Sequence, residues 1–187
     1  MNVNPVLLEF PESFETERLI IRAPRPGDGT ELNAAVLESL AELRPWMPWA
    51  KNTPTVEDSE ANIRGAVAKF IVREDLRLLL FLKANGRLVG SSGLHRIDWT
   101  IPRFEIGYWL RTSYAGRGLA TEAIIGIADF AQRHLAPRRI EIRMDARNER
   151  SWRCAERAGF PLEAVIHNDH RALDGALVDY RIYAKTF

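Results

Sequence analysis

At 187 residues, with 46% apolar and 27% charged side chains, the chain has the size and composition of one globular domain, taken as 1–187, and is too apolar to be disordered. Twenty-six Lys and Arg against 25 Asp and Glu leave a formal charge of +1, which argues against a dedicated nucleic-acid binder with its basic excess. The single cysteine, Cys154, excludes an intrachain disulfide. No run reaches the ~18 apolar residues of a membrane span, so a reducing, cytoplasmic location with no membrane or nucleic-acid partner is expected.

The chain opens on an irregular arm marked by Pro5 and Pro11. Glu17 to Arg22 reads as a strand with Leu19 and Ile21 on one side, ended by Pro24-Arg25-Pro26-Gly27. Asp28 followed by Glu31 has the form of a capping box. Leu32, Val36, Leu37 and Leu40 then recur at helical spacing. In Leu43-Arg44-Pro45-Trp46-Met47-Pro48-Trp49 two prolines forbid a regular helix, so a compact apolar loop carries Trp46 and Trp49. Thr55 with Asp58 predicts a second capping box, opening a helix through Ile63, Val67, Phe70 and Ile71. Leu76 to Lys83 is an unbroken apolar run, as a buried strand would be. Asn85-Gly86 predicts a hairpin turn, Leu88 to Ile97 its returning strand, and Phe104 to Leu110 a third strand. Beyond Gly116-Arg117-Gly118, the residues Ala120, Ala123, Ile124, Ile127, Ala131 and Leu135 share a helical face, which Pro137 ends. Ile140 to Met144 reads as a strand, Ser151 to Ala158 as a short helix closed by Gly159, and Val178 to Ala184 as a final strand. The order β-α-α-β-β-β-α-β-α-β-β predicts an α/β (α+β) fold, with a mixed, mostly antiparallel sheet flanked by helices.

The strand–Gly-x-Gly–helix unit at 104–135 carries the chemistry. A glycine-rich turn entering a helix leaves main-chain N–H groups unpaired and aimed at one spot, where the helix dipole adds positive character. That is a phosphate site. A P-loop is excluded because no lysine follows either glycine, and a dinucleotide fingerprint is excluded because Thr121 stands at the third glycine.

Glu105-Ile106-Gly107-Tyr108-Trp109-Leu110 followed by Tyr114-Ala115-Gly116-Arg117-Gly118-Leu119-Ala120-Thr121-Glu122-Ala123 resembles the acetyl-CoA-binding motif of the GNAT acetyltransferases. Asn148-Glu149-Arg150-Ser151 and Glu156-Arg157-Ala158-Gly159-Phe160 resemble that family's second segment. Glu17-Arg18-Leu19, Pro45-Trp46-Met47-Pro48-Trp49 and the tail Asp179-Tyr180-Arg181-Ile182-Tyr183-Ala184 are similar to its RimJ/RimL branch, which acetylates the N-termini of ribosomal proteins. The likeness runs from about Phe14 to the C-terminus, and the order and spacing of the motifs make it specific.

The resemblance implies the GNAT acyl-CoA N-acyltransferase fold, a twisted sheet with helices on both sides. It also implies acetyl-CoA as co-substrate, with no metal. The amides of Gly116, Arg117, Gly118, Leu119, Ala120 and Thr121 would then hold the CoA pyrophosphate, with Arg117 adding charge. The backbone of Trp109 and Leu110 would pair with the pantetheine arm, and the Leu110 N–H would polarise the thioester carbonyl. Asn148 would bond the pantetheine region, and Ser151 would donate to the departing sulfur. The family's usual tyrosine acid is replaced by Ala155, which raises the share of Ser151, and Ala115 stands where many members carry Gln or Arg.

Glu105 is the candidate base, against a reading as a merely solvated strand carboxylate. Ser151 is a candidate donor and equally a plain N-cap. His95 is either a proton shuttle on the substrate side or a packed strand histidine. Trp46 and Trp49 either line an acceptor pocket or fill core. His167, Asp169 and His170 read as polar loop residues, because no further ligand pair is spaced for zinc. The expected acceptor is a protein or peptide N-terminal α-amine, attacked directly in a ternary complex. The alternatives are a small amine (polyamine, amino acid or antibiotic) and a binding-only module. The resemblance leaves room for a homodimer.

Overall fold

The computed structural model describes residues 4–172 and 174–187. In chain order the elements are β1 (Ser13–Glu15), β2 (Leu19–Arg22), α1 (Gly29–Leu43), α2 (Val56–Ile71), β3 (Leu76–Leu82), β4 (Leu88–Asp98), β5 (Arg103–Leu110), α3 (Leu119–His134), β6 (Arg139–Asp145), α4 (Glu149–Arg157), β7 (Leu162–Arg171) and β8 (Leu177–Thr186). The strands form an eight-stranded sheet in the order β1-β2-β3-β4-β5-β6-β8-β7. Every neighbouring pair is antiparallel except β5 and β6. A parallel pair needs a crossover, and α3 supplies it. The mixed, mostly antiparallel sheet expected from the sequence is therefore observed.

Side-chain alternation divides the sheet into two faces. Leu94, Phe104, Ile106, Ile140 and Ile142 pack against Leu119, Ile124 and Ile127 of α3 and Ala155 of α4. On the opposite face Leu79 and Leu88 pack against Leu32, Val36 and Leu40 of α1 and Ile63 of α2. The stripe read at Ala120, Ala123, Ile124, Ile127 and Ala131 is the buried face of α3. Among the described residues no helix is long and apolar enough to cross a membrane.

Three local expectations need correction. Asp28 makes no cap bond to α1. Its carboxylate instead takes both arms of the Arg22 guanidinium, at 2.7 and 2.8 Å, and the Arg25 N–H at 2.7 Å. A two-armed charged bond outcompetes a bond to a neutral cap amide. The α1 entrance is satisfied from α2, where Glu60 accepts from the Gly27 and Gly29 N–H groups at 3.0 and 3.1 Å. Glu31, the expected box partner, accepts the Leu88 N–H at 3.2 Å. The box at Thr55 and Asp58 forms as expected.

The second correction concerns His167, Asp169 and His170, which lie on β7 rather than in a loop. β7 is the last strand of the sheet and mostly exposed, so no buried face imprints an apolar period on it; pairing with β8 defines it. Among the described residues no group of three His, Cys, Asp or Glu side chains is placed to hold a metal. The third correction is to Ser151, which is not the cap of α4. Asn148 is, accepting the Ser151 N–H at 3.2 Å.

The β4–β5 ladder is tight enough to forbid a side chain at Gly90. A Cβ there would collide with the Trp109 carbonyl oxygen and lie 3.1 Å from the Leu110 Cα, both of them backbone. Gly90→Ala is expected to destabilise the protein by about 1–3 kcal/mol, the usual range for overpacking, measured by denaturant unfolding.

Candidate active site

The pairing of β5 with β6 covers only Arg103–Glu105 against Arg139–Glu141. Both strands continue, β5 to Leu110 and β6 to Asp145, without pairing to each other. A wedge therefore opens in the sheet beyond Glu105. Which main-chain groups face it follows from the antiparallel ladder on the other side of β5. The Arg111 N–H donates to the Val89 carbonyl at 2.8 Å. Two residues at a time along that ladder, Trp109 and Gly107 also direct their main-chain groups at β4. Ile106, Tyr108 and Leu110 direct theirs into the wedge. Leu110 and Tyr108 thus turn their main-chain groups to the wedge, whereas those of Trp109, expected there from the sequence, are taken up by Ser91.

The glycine turn lies after β5 and before the crossover helix. Gly116 and Gly118 have φ values of +75° and +77°, the left-handed region that side chains disfavour. Gly118 is the N-cap of α3 and provides no side-chain bond. Among the described residues no main-chain N–H from Gly116 to Thr121 has a protein acceptor, and the buried Thr121 hydroxyl has no partner either. The Leu119 and Ala120 side chains are buried in the core, so only their amides face the turn. The turn is held from both sides. Arg18 donates to the Arg117 carbonyl at 2.9 Å and to Glu122 at 2.6 Å, while Glu38 of α1 accepts from Arg111 and the Ser113 N–H at 2.6 and 3.0 Å. Burial alone would raise the Glu122 carboxyl, but bonds from Thr16 and Arg18 hold it below the usual carboxylate range. Arg117 donates one guanidinium N–H to the Ser113 carbonyl at 2.9 Å, with its guanidinium over the Tyr114 ring.

On the α4 face of the wedge, the Tyr108 hydroxyl lies 2.8 Å from the Ser151 carbonyl, to which it donates, and 3.0 Å from the Ser151 Oγ. Enclosure raises the phenol pKa, so Tyr108 is a neutral hydroxyl at any ordinary pH. Ala155 is fully buried one turn farther along α4. Tyr108 was passed over in the sequence because its period-2 position beside Ile106 and Leu110 matches a core residue. Only the packing of α4 shows where its hydroxyl ends.

On the other face, His95 stands directly opposite Glu105 across β4 and β5. Burial raises the Glu105 pKa, offset in part by Arg96 and Arg143. One of its carboxylate oxygens, Oε2, is buried with no hydrogen-bond partner. Arg96 reaches that oxygen at 3.5 Å from a β-bulge, where its own φ is +46°. A bulge re-aims the side chain that follows it. His95 is oriented by Asp75, whose carboxylate lies 2.7 Å from Nδ1, and its ring sits over Gly107, where a Cβ would lie 3.1 Å from the ring. A cleft of about 460 Å³ between α1, α2 and this face is lined by His95, Trp49, Trp109, Arg77, Asn62 and Met47, among others. Trp49 and Trp109 meet there with ring centroids 6.0 Å apart. Trp46 does not join them, and lines a separate hollow with Pro45, Arg147 and Asp174. Asp75 and Arg77 had no motif to announce them, since both are ordinary charges around a buried strand.

A family model described as an acetyltransferase (GNAT) domain matches residues 18–161. The chain belongs to the GNAT acetyltransferase family. The acetyltransferase is 27% identical over 149 residues to the ribosomal-protein-serine acetyltransferase of Escherichia coli (strain K12), covering 78% of this chain and 82% of that one. In fold it is similar to the microcin C7 self-immunity acetyltransferase MccE, solved with acetyl-CoA and AMP, at a TM-score of 0.87 and 23% identity over 95% of this chain and 98% of that one. It is equally similar, at a TM-score of 0.87 and 22% identity over 94% and 98%, to RimL, a ribosomal L7/L12 α-N-protein acetyltransferase solved with coenzyme A. The GNAT fold expected from the motifs is thus the fold of this acetyltransferase.

The raised Glu105 pKa makes its charge a burden on folding. Its stabilising contribution is complete below the ordinary glutamate pKa of about 4.3 and is lost as pH rises through the folded value. Glu105→Gln is therefore expected to melt above the parent protein at pH 7, with the difference closing towards pH 4. Thermal unfolding across that range checks it, and a lower melting temperature at pH 7 would mean that the Arg96 pair outweighs burial.

Proposed function

We propose that the chain, acting as one domain, transfers the acetyl group of acetyl-CoA to the N-terminal α-amine of a protein or peptide in a ternary complex. The observation that carries this reading is the wedge between β5 and β6 leading to a turn whose amides have no protein acceptor. An extended amide-bearing arm ending in phosphates fits that pair of features. The peptide acceptor is supported by the ribosomal-protein-serine acetyltransferase of Escherichia coli, a relative with a named protein substrate.

In this reading the amides of Gly116 to Thr121 and the Thr121 hydroxyl bind the pyrophosphate of the co-substrate, whose thioester supplies the acetyl group. Tyr108 and Leu110 pair with the pantetheine amides through their main chains. The thioester then lies deeper in the wedge than Leu110, so its carbonyl oxygen takes a β5 main-chain N–H nearer Glu105 as charge builds there. Glu105 accepts the proton of the attacking amine through a water, and burial raises its pKa, which makes it a stronger base than an exposed glutamate. Ser151 donates to the departing sulfur. Asn148 caps α4 through its Oδ1, which sets Ser151 in place, and its side-chain NH2 bonds the pantetheine region. His95, Trp49 and Trp109 line the acceptor cleft, and Trp46 takes no part.

Release of free thiol from acetyl-CoA in the presence of free-N-terminal peptides tests the reaction, and the same peptides blocked at the N-terminus are expected to be inert. Turnover of free polyamines or amino acids with none of peptides would overturn the acceptor assignment. Glu105→Gln is expected to lower kcat roughly 10²–10⁴-fold, the usual share of a general base, and to leave acetyl-CoA affinity unchanged. Gly118→Asp is expected to weaken acetyl-CoA binding about tenfold or more, through lost charge-assisted bonds and repulsion, as measured by calorimetry on the folded variant.

A further inference from the structure

Tyr108 belongs to the wedge-lining strand, and its hydroxyl ends on α4. Its main-chain groups face the wedge, and its phenol crosses to the first turn of α4, bonding the Ser151 carbonyl at 2.8 Å and the Ser151 Oγ at 3.0 Å. The two hydroxyls have two protons and three oxygens to share among themselves. With Tyr108 donating to the carbonyl, its lone pairs accept from Ser151, and the serine proton is directed at the phenol. When an anion lies beside Ser151, the serine proton turns to it, and the phenol supplies its own proton to the Ser151 Oγ or shares it with the carbonyl. Enclosure of the phenol keeps it protonated throughout.

The Asn148 side chain takes the Ser151 N–H, so the serine main chain is anchored from one side and its hydroxyl from the other. Ala155, a turn away, carries no polar group that could hold the serine. Cys154 is on the same short helix, but its sulfur is taken by Arg157 at 3.1 Å.

We propose that Tyr108 is a positioning residue for the leaving group: it holds the Ser151 hydroxyl as a donor to the thiolate of coenzyme A. The inference rests on the acetyl-CoA reading above. As the bond between acetyl carbon and sulfur breaks, the electron pair leaves on sulfur. The serine hydroxyl bonds that sulfur, and Tyr108 bonds the serine, so no proton need be transferred by either. The amine proton leaves by the opposite face of the sheet, towards Glu105. Tyr108 thus acts through Ser151 and needs no contact with the thioester itself.

Stabilising a thiolate lowers the pKa of the bound thiol, and linkage then requires coenzyme A to bind more tightly as pH rises. The test is calorimetric titration of coenzyme A and of its desulfo analogue between pH 7 and 9.5, on wild type, Tyr108→Phe, Ser151→Ala and the double variant. For wild type the preference for coenzyme A over the desulfo analogue is expected to rise about tenfold or more, as a bond to a charged acceptor implies. In each single variant the rise is expected to shrink at least threefold, and in the double variant to be no smaller than in Ser151→Ala. Unchanged desulfo affinity certifies that each variant is folded. A full rise in Tyr108→Phe overturns the proposal, as does a double variant whose loss is the product of the two singles. Wild type that binds neither probe would remove the acetyl-CoA reading and this proposal with it.

Discussion

The site depends on one constraint, the single parallel step in an otherwise antiparallel sheet. β5 and β6 run in the same direction because α3 carries the chain across one face between them. Their pairing lasts three residues on each strand and then ends. Continued pairing would have consumed the main-chain groups of Tyr108 and Leu110 in the sheet. Divergence leaves them available, in the middle of the molecule, without an exposed sheet edge that could template aggregation. The same crossover brings the N-terminus of α3 and its glycine turn to the mouth of the wedge. One topological step thus makes both a slot in the sheet and, at its end, a turn whose amides have no acceptor among the described residues.

Strand alternation then separates the two candidate groups of β5. Glu105 and Tyr108 are three residues apart on β5, so they project from opposite faces. Glu105 shares its face with His95 and the cleft under α1 and α2, and Tyr108 shares the other with α4. An amine arriving from the cleft and a thiolate held beside α4 would meet different side chains of one strand. A base and a hydrogen-bond donor kept apart by the sheet do not neutralise each other.

This arrangement has costs that the rest of the structure carries. Glu105 retains a buried oxygen with no hydrogen bond, and its Arg96 partner stands at a left-handed φ of +46° on a bulge. Among the described residues, six successive amides lack protein acceptors at the glycine turn. Buried or unsatisfied polar groups of this kind are destabilising in isolation and gather where function needs them. Two well-packed layers offset them, with Ile124, Ile127, Phe104 and Ile140 fully buried on one side and Leu79, Leu88 and Ile63 on the other.

The sequence by itself determined the element order through period and punctuation: the apolar stripe of α3, the Thr55 box, the Asn85-Gly86 turn and the glycine turn before α3. Each of these depends on residues within a few positions of one another, which is why each was legible. The Asp28 box failed because its competitor, Arg22, lies across a turn, and His167, Asp169 and His170 read as loop because the edge strand that holds them bears no apolar period. Glu105, Ser151 and the amides of 116–121 could be nominated from spacing and resemblance. What they touch could not. The arrival of the Tyr108 hydroxyl at Ser151, the seat of His95 on Asp75, the parting of Trp46 from Trp49 and the point where β5 leaves β6 were decided only by the tertiary structure. Each is fixed by strand register and helix packing, and no local pattern encodes the register of a strand against a partner it has yet to meet.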